Sequence, residues 1–287
     1  MPRTCLARVR PYFIMDTGLI QSKFAKIGAR VHFRTTPLVR DWRDASLLTI
    51  DIRQDRRGEF YDVLASPHAE VEVLDVRQSQ QHLLLMFRQP VAERGRTENK
   101  QKFLCGHDER HWFVAGIPEN SPVSTVVTAM EELKPRLVRQ LERGLRGRRE
   151  HRLRRKTETF VRQGEWFFVP MKNAQINERL LLKNEPIQRG RGKPHRCEFL
   201  YREGGTRVYV SEKYPNGITD GQYKKLITRH PEAIYWRWRI FNRNPAVYVR
   251  GRISHVDHAT IRLDGWHEVQ MNTEYLSNAM ASVAFLD

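Results

Sequence analysis

The sequence predicts an α+β fold, predominantly antiparallel β, with two β-rich domains of barrel or sandwich type joined by a kinked basic helix. Three observations carry this expectation. Seven short apolar–polar segments follow one another between residues 28 and 117, separated by turn residues, the pattern of sequential antiparallel strands. An apolar stripe at helical spacing comes next and runs into a segment that is almost purely basic. Alternating segments then resume toward the far end. The expected divisions are an N-terminal arm over 1–27, a β-rich domain over 28–120, a helix and basic connecting segment over 121–158, and a second β-rich domain with short helices over 159–287. A chain of 287 residues is long enough for two such cores without disulfide or metal staples.

In the first β-rich stretch the segments are GARVHFR, SLLTIDIR, GEFYDVL, EVEVLDVR, QHLLLMFR, KQKFLCG and RHWFVAG. Leu48, Ile50 and Ile52 alternate with Thr49, Asp51 and Arg53, the period of a half-buried strand. Gln54–Gly58 reads as a hairpin turn, and Pro90–Asn99 as an exposed polar loop. Ser121 as N-cap and Pro122 at the first position predict a helix start. Val123, Val126, Val127, Met130 and Leu133 form its apolar stripe. Lys134-Pro135 ends or kinks it, and Leu137, Leu141 and Leu145 resume the stripe.

Beyond the basic segment, Glu165–Val169 reads as a strand. Cys197–Arg202 and Thr206–Ser211 read as a hairpin around Gly204-Gly205. Asp220 caps a helix to Arg229. Strands follow at Ala233–Phe241, Ala246–Ile253 and Ala259–Leu263, the last turning at Asp264-Gly265 into Trp266–Gln270. Thr273 caps a final helix through Met280.

Charge bounds the function. Lys and Arg number 50 against 33 acids, a net +17 with a pI near 10.2. Arg outnumbers Lys 38 to 12. Guanidinium forks match phosphates and stack on rings, and such a field attracts polyanions. Three widely spaced cysteines without a C-x-x-C pair suit a reducing compartment and exclude a disulfide framework. No apolar run is long enough to span a membrane, and the N-terminal apolar stretch, cut by Asp16, lacks a signal-peptide core. A cytoplasmic location and no membrane partner are therefore expected.

Residues 135–156, PRLVRQLERGLRGRREHRLRRK, carry nine Arg and one Lys against Glu142 and Glu150. A solvated helix ordinarily balances its charges with acids one turn away; this one has too few. The expected phosphate contacts are Arg139, Arg143, Arg146, Arg148, Arg149, Arg152, Arg154, Arg155 and Lys156. A Gly-spaced basic loop adds Arg189, Arg191 and Lys193. It is not a P-loop, and no dinucleotide fingerprint occurs.

The stretch YWRWRIFNRNPAVYVRGRI spans Tyr235–Ile253. With a period of two and a turn at Asn242–Pro245, Trp236, Trp238 and Ile240 face the core together with Val247, Val249 and Ile253. Tyr235, Arg237, Arg239, Tyr248, Arg250 and Arg252 then share the opposite face, extended by Arg262 and His267. Rings interleaved with guanidiniums on an open sheet face are how sheet platforms hold single strands.

Three other clusters invite chemistry. Cys105, His107 and His111 in CGHDERHWF can converge on a metal only if the tip has five residues; a four-residue tip puts Cys105 and His111 on opposite faces, and a plain hairpin turn is expected. His255-x-x-His258 with Asp257 and His267 looks like a second site, but His258 and His267 lie roughly 13 Å apart along one strand face. Asp51, Asp55, Glu59 and Asp62 could serve a metal nuclease, yet arginines rather than a lysine surround them. No catalytic residue, metal or cofactor is expected. The expectation is a non-enzymatic nucleic-acid-binding protein, RNA favoured over DNA, using the basic helix for phosphates and the Arg/aromatic face for bases. The rivals are a metal-dependent nuclease or nucleic-acid hydrolase, and a basic adaptor docking an acidic protein.

Overall fold

The computed structural model describes residues 16–35, 49–65, 69–93, 96–118, 121–145, 149–189 and 192–274, with side chains described outside 89–99. The expected final helix from Thr273 lies almost wholly outside these residues. The chain is β-rich, its sheets mostly antiparallel, and it divides into two compact units, Met1–Leu133 and Lys134–Asp287.

The division falls inside the expected kinked helix because its two halves feed different cores. In the first unit, Val126 and Ala129 of α2 (Val126–Glu132) and its C-cap Leu133 pack on Leu84, Leu104, Ala115 and Ile117. In the second, Val138 of α3 (Arg136–Leu141) packs on Phe160, Phe167 and Val169. The first helix starts later than the sequence implies. Thr125, not Ser121, is the N-cap, and its hydroxyl accepts from Thr128 N–H at 3.2 Å. The Asp75 carboxylate, 2.8 Å from Val126 N, takes a second orphan amide at the helix start.

The first unit opens with α1 (Thr17–Lys26), where the sequence predicts an arm. Ile20, Phe24 and Ile27 recur at helical spacing and sink into the core with Tyr61, Val63, Leu83, Leu85 and Cys105. Strands β1 (Val31–Thr35), β2 (Thr49–Asp55) and β3 (Gly58–Ala65) form one sheet in the order β1-β3-β2, with β1 parallel to β3. A meander follows: β4 (Glu70–Arg77), β5 (His82–Glu93), β6 (Arg96–Asp108) and β7 (His111–Ile117). The backbone of the expected 90–99 loop is therefore mostly paired strand.

In the second unit, a six-stranded sheet holds β8 (Val161–Gln163), β9 (Trp166–Pro170), β10 (Leu182–Ile187), β11 (His195–Glu203), β15 (Ala246–Ser254) and β16 (Ile261–Met271) in the order β10-β11-β15-β16-β9-β8. A three-stranded sheet, β13-β12-β14, holds β12 (Thr206–Ser211), β13 (Tyr214–Thr219) and β14 (Arg239–Arg243). Helix α4 (Arg149–Arg152) precedes both sheets, and α5 (Asp220–Arg229) follows β13. Helix α5 has the extent expected from the sequence, but Thr219 is its N-cap, with Gln222 Oε1 accepting the Thr219 N–H at 2.9 Å.

Two local turn signals give way to long-range pairing. Strands β11 and β12 do not pair with each other around Gly204-Gly205. Instead β11 pairs with β15 and β12 with β14, Glu203 facing Ala246 and Thr206 facing Arg243. Both chains thus pass side by side from one sheet to the other. Gly205, at φ +90°, sits where a Cβ would lie 3.0 Å from the Arg243 carbonyl oxygen, so only glycine admits the neighbouring backbone. Asp264-Gly265 is likewise no turn: β16 runs through it with a bulge, the ladder passing from Gly251–Leu263 to Val249–His267. In both places the extended ladder buries Cys197, Leu200, Val249, Ile253 and Leu263 in one core, which a local hairpin would not.

Candidate nucleic-acid interface

The basic segment 135–156 is not one helix. Helix α3 ends at Leu141, Gly144 takes φ +86°, and among the described residues helix resumes only at Arg149. Of the resumed stripe, Leu137 packs against the Val138–Phe160 core, while Leu141 and Leu145 are exposed. Glu142, one of the segment's two acids, turns inward. Its Oε2 lies 2.7 Å from Lys134 Nζ, and both side chains are 3% exposed. The outward face is accordingly more one-sided than composition implies. Arg143, Arg149, Arg154 and Lys156 are exposed, while Arg139, Arg152 and Arg155 are half-buried. Arg146 and Arg148 lie outside the described residues, as does Arg191.

The other two members of the basic loop are tied to acids. Arg189 donates to Asn272 Oδ1 at 2.8 Å and Glu274 Oε2 at 3.0 Å, fixing the chain beyond β16. Lys193 Nζ lies 2.8 Å from both carboxylate oxygens of Asp257.

The shared face expected over Tyr235–Ile253 does not form. Residues Pro231–Tyr235 make a 3-10 turn, pinned where Trp238 Nε1 donates to the buried Ala233 carbonyl at 2.7 Å. Strand β14 then pairs with β12 rather than β15. Tyr235, Arg237 and Arg239 therefore belong with the three-stranded sheet, and Tyr248, Arg250 and Arg252 with the six-stranded one. Trp236 and Trp238 are half-buried, and Ile240, expected in the core, is 53% exposed.

On the six-stranded sheet the second half of the expected face survives. Tyr248 stacks with Tyr201 at 6.2 Å, and Arg252 faces Arg262 across the ladder. The Arg250 guanidinium is held between rings, 4.9 Å from Trp266 and 5.4 Å from Phe199. Neighbouring strands bring acids the sequence did not place there. Glu268 faces Tyr248, and Glu198 Oε2 accepts the Arg252 N–H at 2.8 Å. His267 is not part of this face. The bulge sets it opposite the core residue Val249, buried, with Nδ1 2.9 Å from the Gly265 carbonyl oxygen. Burial lowers its pKa.

The three-stranded sheet carries a ring group only partly foreseen. Tyr209 of β12 and Tyr223 of α5 stack at 4.1 Å, 3° from parallel, with Trp238 edge-on to both. This part packs α5 on the sheet. Tyr214, Trp236 and Trp238 form a second, nearly parallel triangle with centroids 5.8–6.3 Å apart. Lys213 Nζ sits 3.7 Å over the Trp236 ring, and Tyr235 beside it is 85% exposed. Residues 206–243 hold eight Lys and Arg against three acids. Tyr209, Tyr214 and Tyr223 escape a strand-by-strand reading because β12, β13 and α5 bring them in from outside the Trp-rich stretch.

The rival chemistries lose their geometry. The CGHDERHWF tip has two residues, Glu109 and Arg110, with Asp108 facing His111 and Cys105 facing Val114. Cys105 and His111 thus lie on opposite faces. Cys105 is fully buried, and burial pushes its thiol pKa up. His111 Nδ1 instead meets Glu59 Oε1 at 2.7 Å, and Glu59 Oε2 also accepts the Trp112 N–H. Asp51 Oδ1 accepts the Ile52 N–H at 2.8 Å, and the other two acids hold arginines. Asp55 takes two Arg30 bonds at 2.7 and 2.9 Å, which hold its pKa at about 2, and buried Asp62 bridges Arg34 and Arg53.

His255 and His258 have a neighbour the sequence did not suggest, His195 at the start of β11. Burial, then the two adjacent imidazoles, press the His195 pKa down to about 3. No helix among the described residues is long and apolar enough to cross a membrane. No family model, curated protein or solved structure matches the chain.

Proposed function

We propose that the second unit binds RNA, in single strands or unpaired parts of structured RNA, without catalysing a reaction. The rings of 206–243 stack bases, and the exposed cations of the basic segment hold phosphates. The observation that carries the reading is the pairing of a solvent-exposed ring, Tyr235, with a ring under a lysine, Trp236, inside a stretch of strong positive charge. Base stacking needs an accessible π-face, and backbone tracking needs uncompensated cations nearby. Tyr248, Arg250, Arg252 and Arg262 form a lesser surface, since Glu198 and Glu268 offset their charge. The acids of 51–62 and the hairpin histidines have no part in it.

The test is fluorescence anisotropy of the full chain with a labelled oligouridylate, its deoxythymidylate counterpart and a duplex, over a salt series. Tighter binding to the single strands is expected, with log affinity falling by about 0.7 per phosphate contact for each unit of log salt. Absence of binding at low salt, or a slope near zero, refutes the reading.

A further inference from the structure

Arg196 faces Ser254 in the β11–β15 ladder, so the next residues outward, His195 and His255, meet at that end of the six-stranded sheet. The β15–β16 connection then brings His258 to the same place. The ring centroids lie 4.1 Å (195–255), 4.8 Å (255–258) and 5.6 Å (195–258) apart, and one nitrogen from each falls within 4.8 Å of the others. His195 is 1% exposed, and among the described residues neither of its ring nitrogens has a hydrogen-bond partner. A buried imidazole ordinarily finds partners for its polar atoms. Here the rings stacked on it are two further imidazoles, and Trp166 flanks it edge-on at 6.3 Å.

We propose that His195, His255 and His258 bind a divalent transition-metal ion, zinc foremost. The donor set is three imidazoles, which suits zinc, copper, nickel or iron and not the oxygen-seeking magnesium or calcium. Three protein ligands leave a fourth position for water or an incoming group. The surroundings fit a ligand site. His255 Nε2 lies 3.3 Å from the Lys193 carbonyl oxygen, and an N–H donated there leaves Nδ1 as the ligating nitrogen, the usual outer support of a metal-bound histidine. The Asp257 N–H, 3.1 Å from that Nδ1, gives way when the ion enters. The Lys193–Asp257 pair clips the connection to the residues leading into β11. Gly164, in the turn between β8 and β9 at φ +58°, leaves the His258 ring its space; a Cβ there would stand 2.9 Å from Nε2.

Loading requires a definite movement. Zinc–nitrogen bonds of 2.0–2.1 Å in a tetrahedron place donors about 3.4 Å apart. The ring set therefore closes by something over an ångström. A bound ion lies in the plane of each imidazole, whereas the three planes are now within 21–29° of parallel. At least two rings must turn about their Cβ–Cγ bonds.

The test uses the full chain, stripped with chelator, desalted and titrated with cobalt chloride. One equivalent is taken up with visible d–d absorption, and zinc chloride displaces it. His255→Gln and His258→Gln, both at half-buried positions, each abolish this uptake, whereas His107→Gln and His111→Gln, on a hairpin of the first unit, leave it unchanged. Diethyl pyrocarbonate footprinting of the unsubstituted chain gives a readout that needs no variant: zinc shields His255 and His258 from modification more than His107 and His111. No stoichiometric uptake by the parent chain, uptake unchanged in His255→Gln and His258→Gln, or no preferential shielding overturns the proposal.

Discussion

Replacing Tyr235 by alanine isolates base stacking from everything else in the second unit. The ring is 85% exposed, and among the described residues no other ring packs on it, in contrast to Tyr209, stacked at 4.1 Å on Tyr223. A substitution on such a surface shifts stability by about 0.5 kcal/mol or less, so the thermal midpoint of Tyr235→Ala stays near that of the parent. A stacked base contributes about 1–3 kcal/mol, and every 1.4 kcal/mol is tenfold. The dissociation constant for an oligouridylate is therefore expected to rise roughly 5- to 150-fold. Stacking releases no counterions, so the slope of log affinity against log salt must not change. Anisotropy titrations at four salt concentrations, paired with a thermal melt, give all three quantities. An unchanged dissociation constant with an unchanged melt refutes the assignment of Tyr235 to a base. A changed slope shows that the ring acts through neighbouring cations instead.

The complementary variant neutralises Arg149, Arg154 and Lys156 to glutamine; the salt slope for single strands should flatten by about 2 units, 0.7 for each lost contact, and an unaltered slope removes the basic segment from the interface. Lys134→Met strands the buried Glu142 carboxylate and should cost about 3–5 kcal/mol in urea unfolding, whereas Lys134→Met with Glu142→Leu should recover most of it; a double variant as unstable as the sum of the singles rules out the pair as a coupled unit. Acid should weaken the first unit. The Arg30 bonds depress the folded Asp55 pKa to about 2, against about 3.9 unfolded, so this contribution is complete above about pH 5 and fades as pH falls through 4 toward 2. Asp55→Asn should lose that part of the pH dependence in urea midpoints taken between pH 5 and 2.5, and an identical profile counts against it.

What the sequence made legible was local. Strand β2 alternates apolar and polar residues within its own length, and α5 shows its extent, so both were readable without partners; the outer parts of β5 and β6, polar over 90–99, were not. What required a partner was not. Gly204-Gly205 and Asp264-Gly265 carry the residues of tight turns, but the pairing of β11 with β15 and of β15 with β16 buries a whole core and overrides them. The expected Arg/aromatic face was half right for the same reason: Tyr248, Arg250 and Arg252 keep their side of β15, while Tyr235, Arg237 and Arg239 leave with another sheet. His195 was invisible as a neighbour of His255 because only the β11–β15 register sets them together. The interior side of the basic segment was hidden too, since Lys134 and Glu142 look like two surface charges until both are found buried.

The glycine corner makes the three-stranded sheet an arm grafted on a complete body. Glu203 and Ala246 face each other across the ladder at the point where the two chains leave the six-stranded sheet. A two-residue loop could join them there, deleting 204–245, and β15 would still keep β11 on one side and β16 on the other. The graft point has two strands and no third connection, so the arm can be lengthened, exchanged or lost with little demand on the body's register. Variation among descendants of such a chain should therefore gather in the arm, where rings and cations can be traded for a different ligand while the scaffold stays the same.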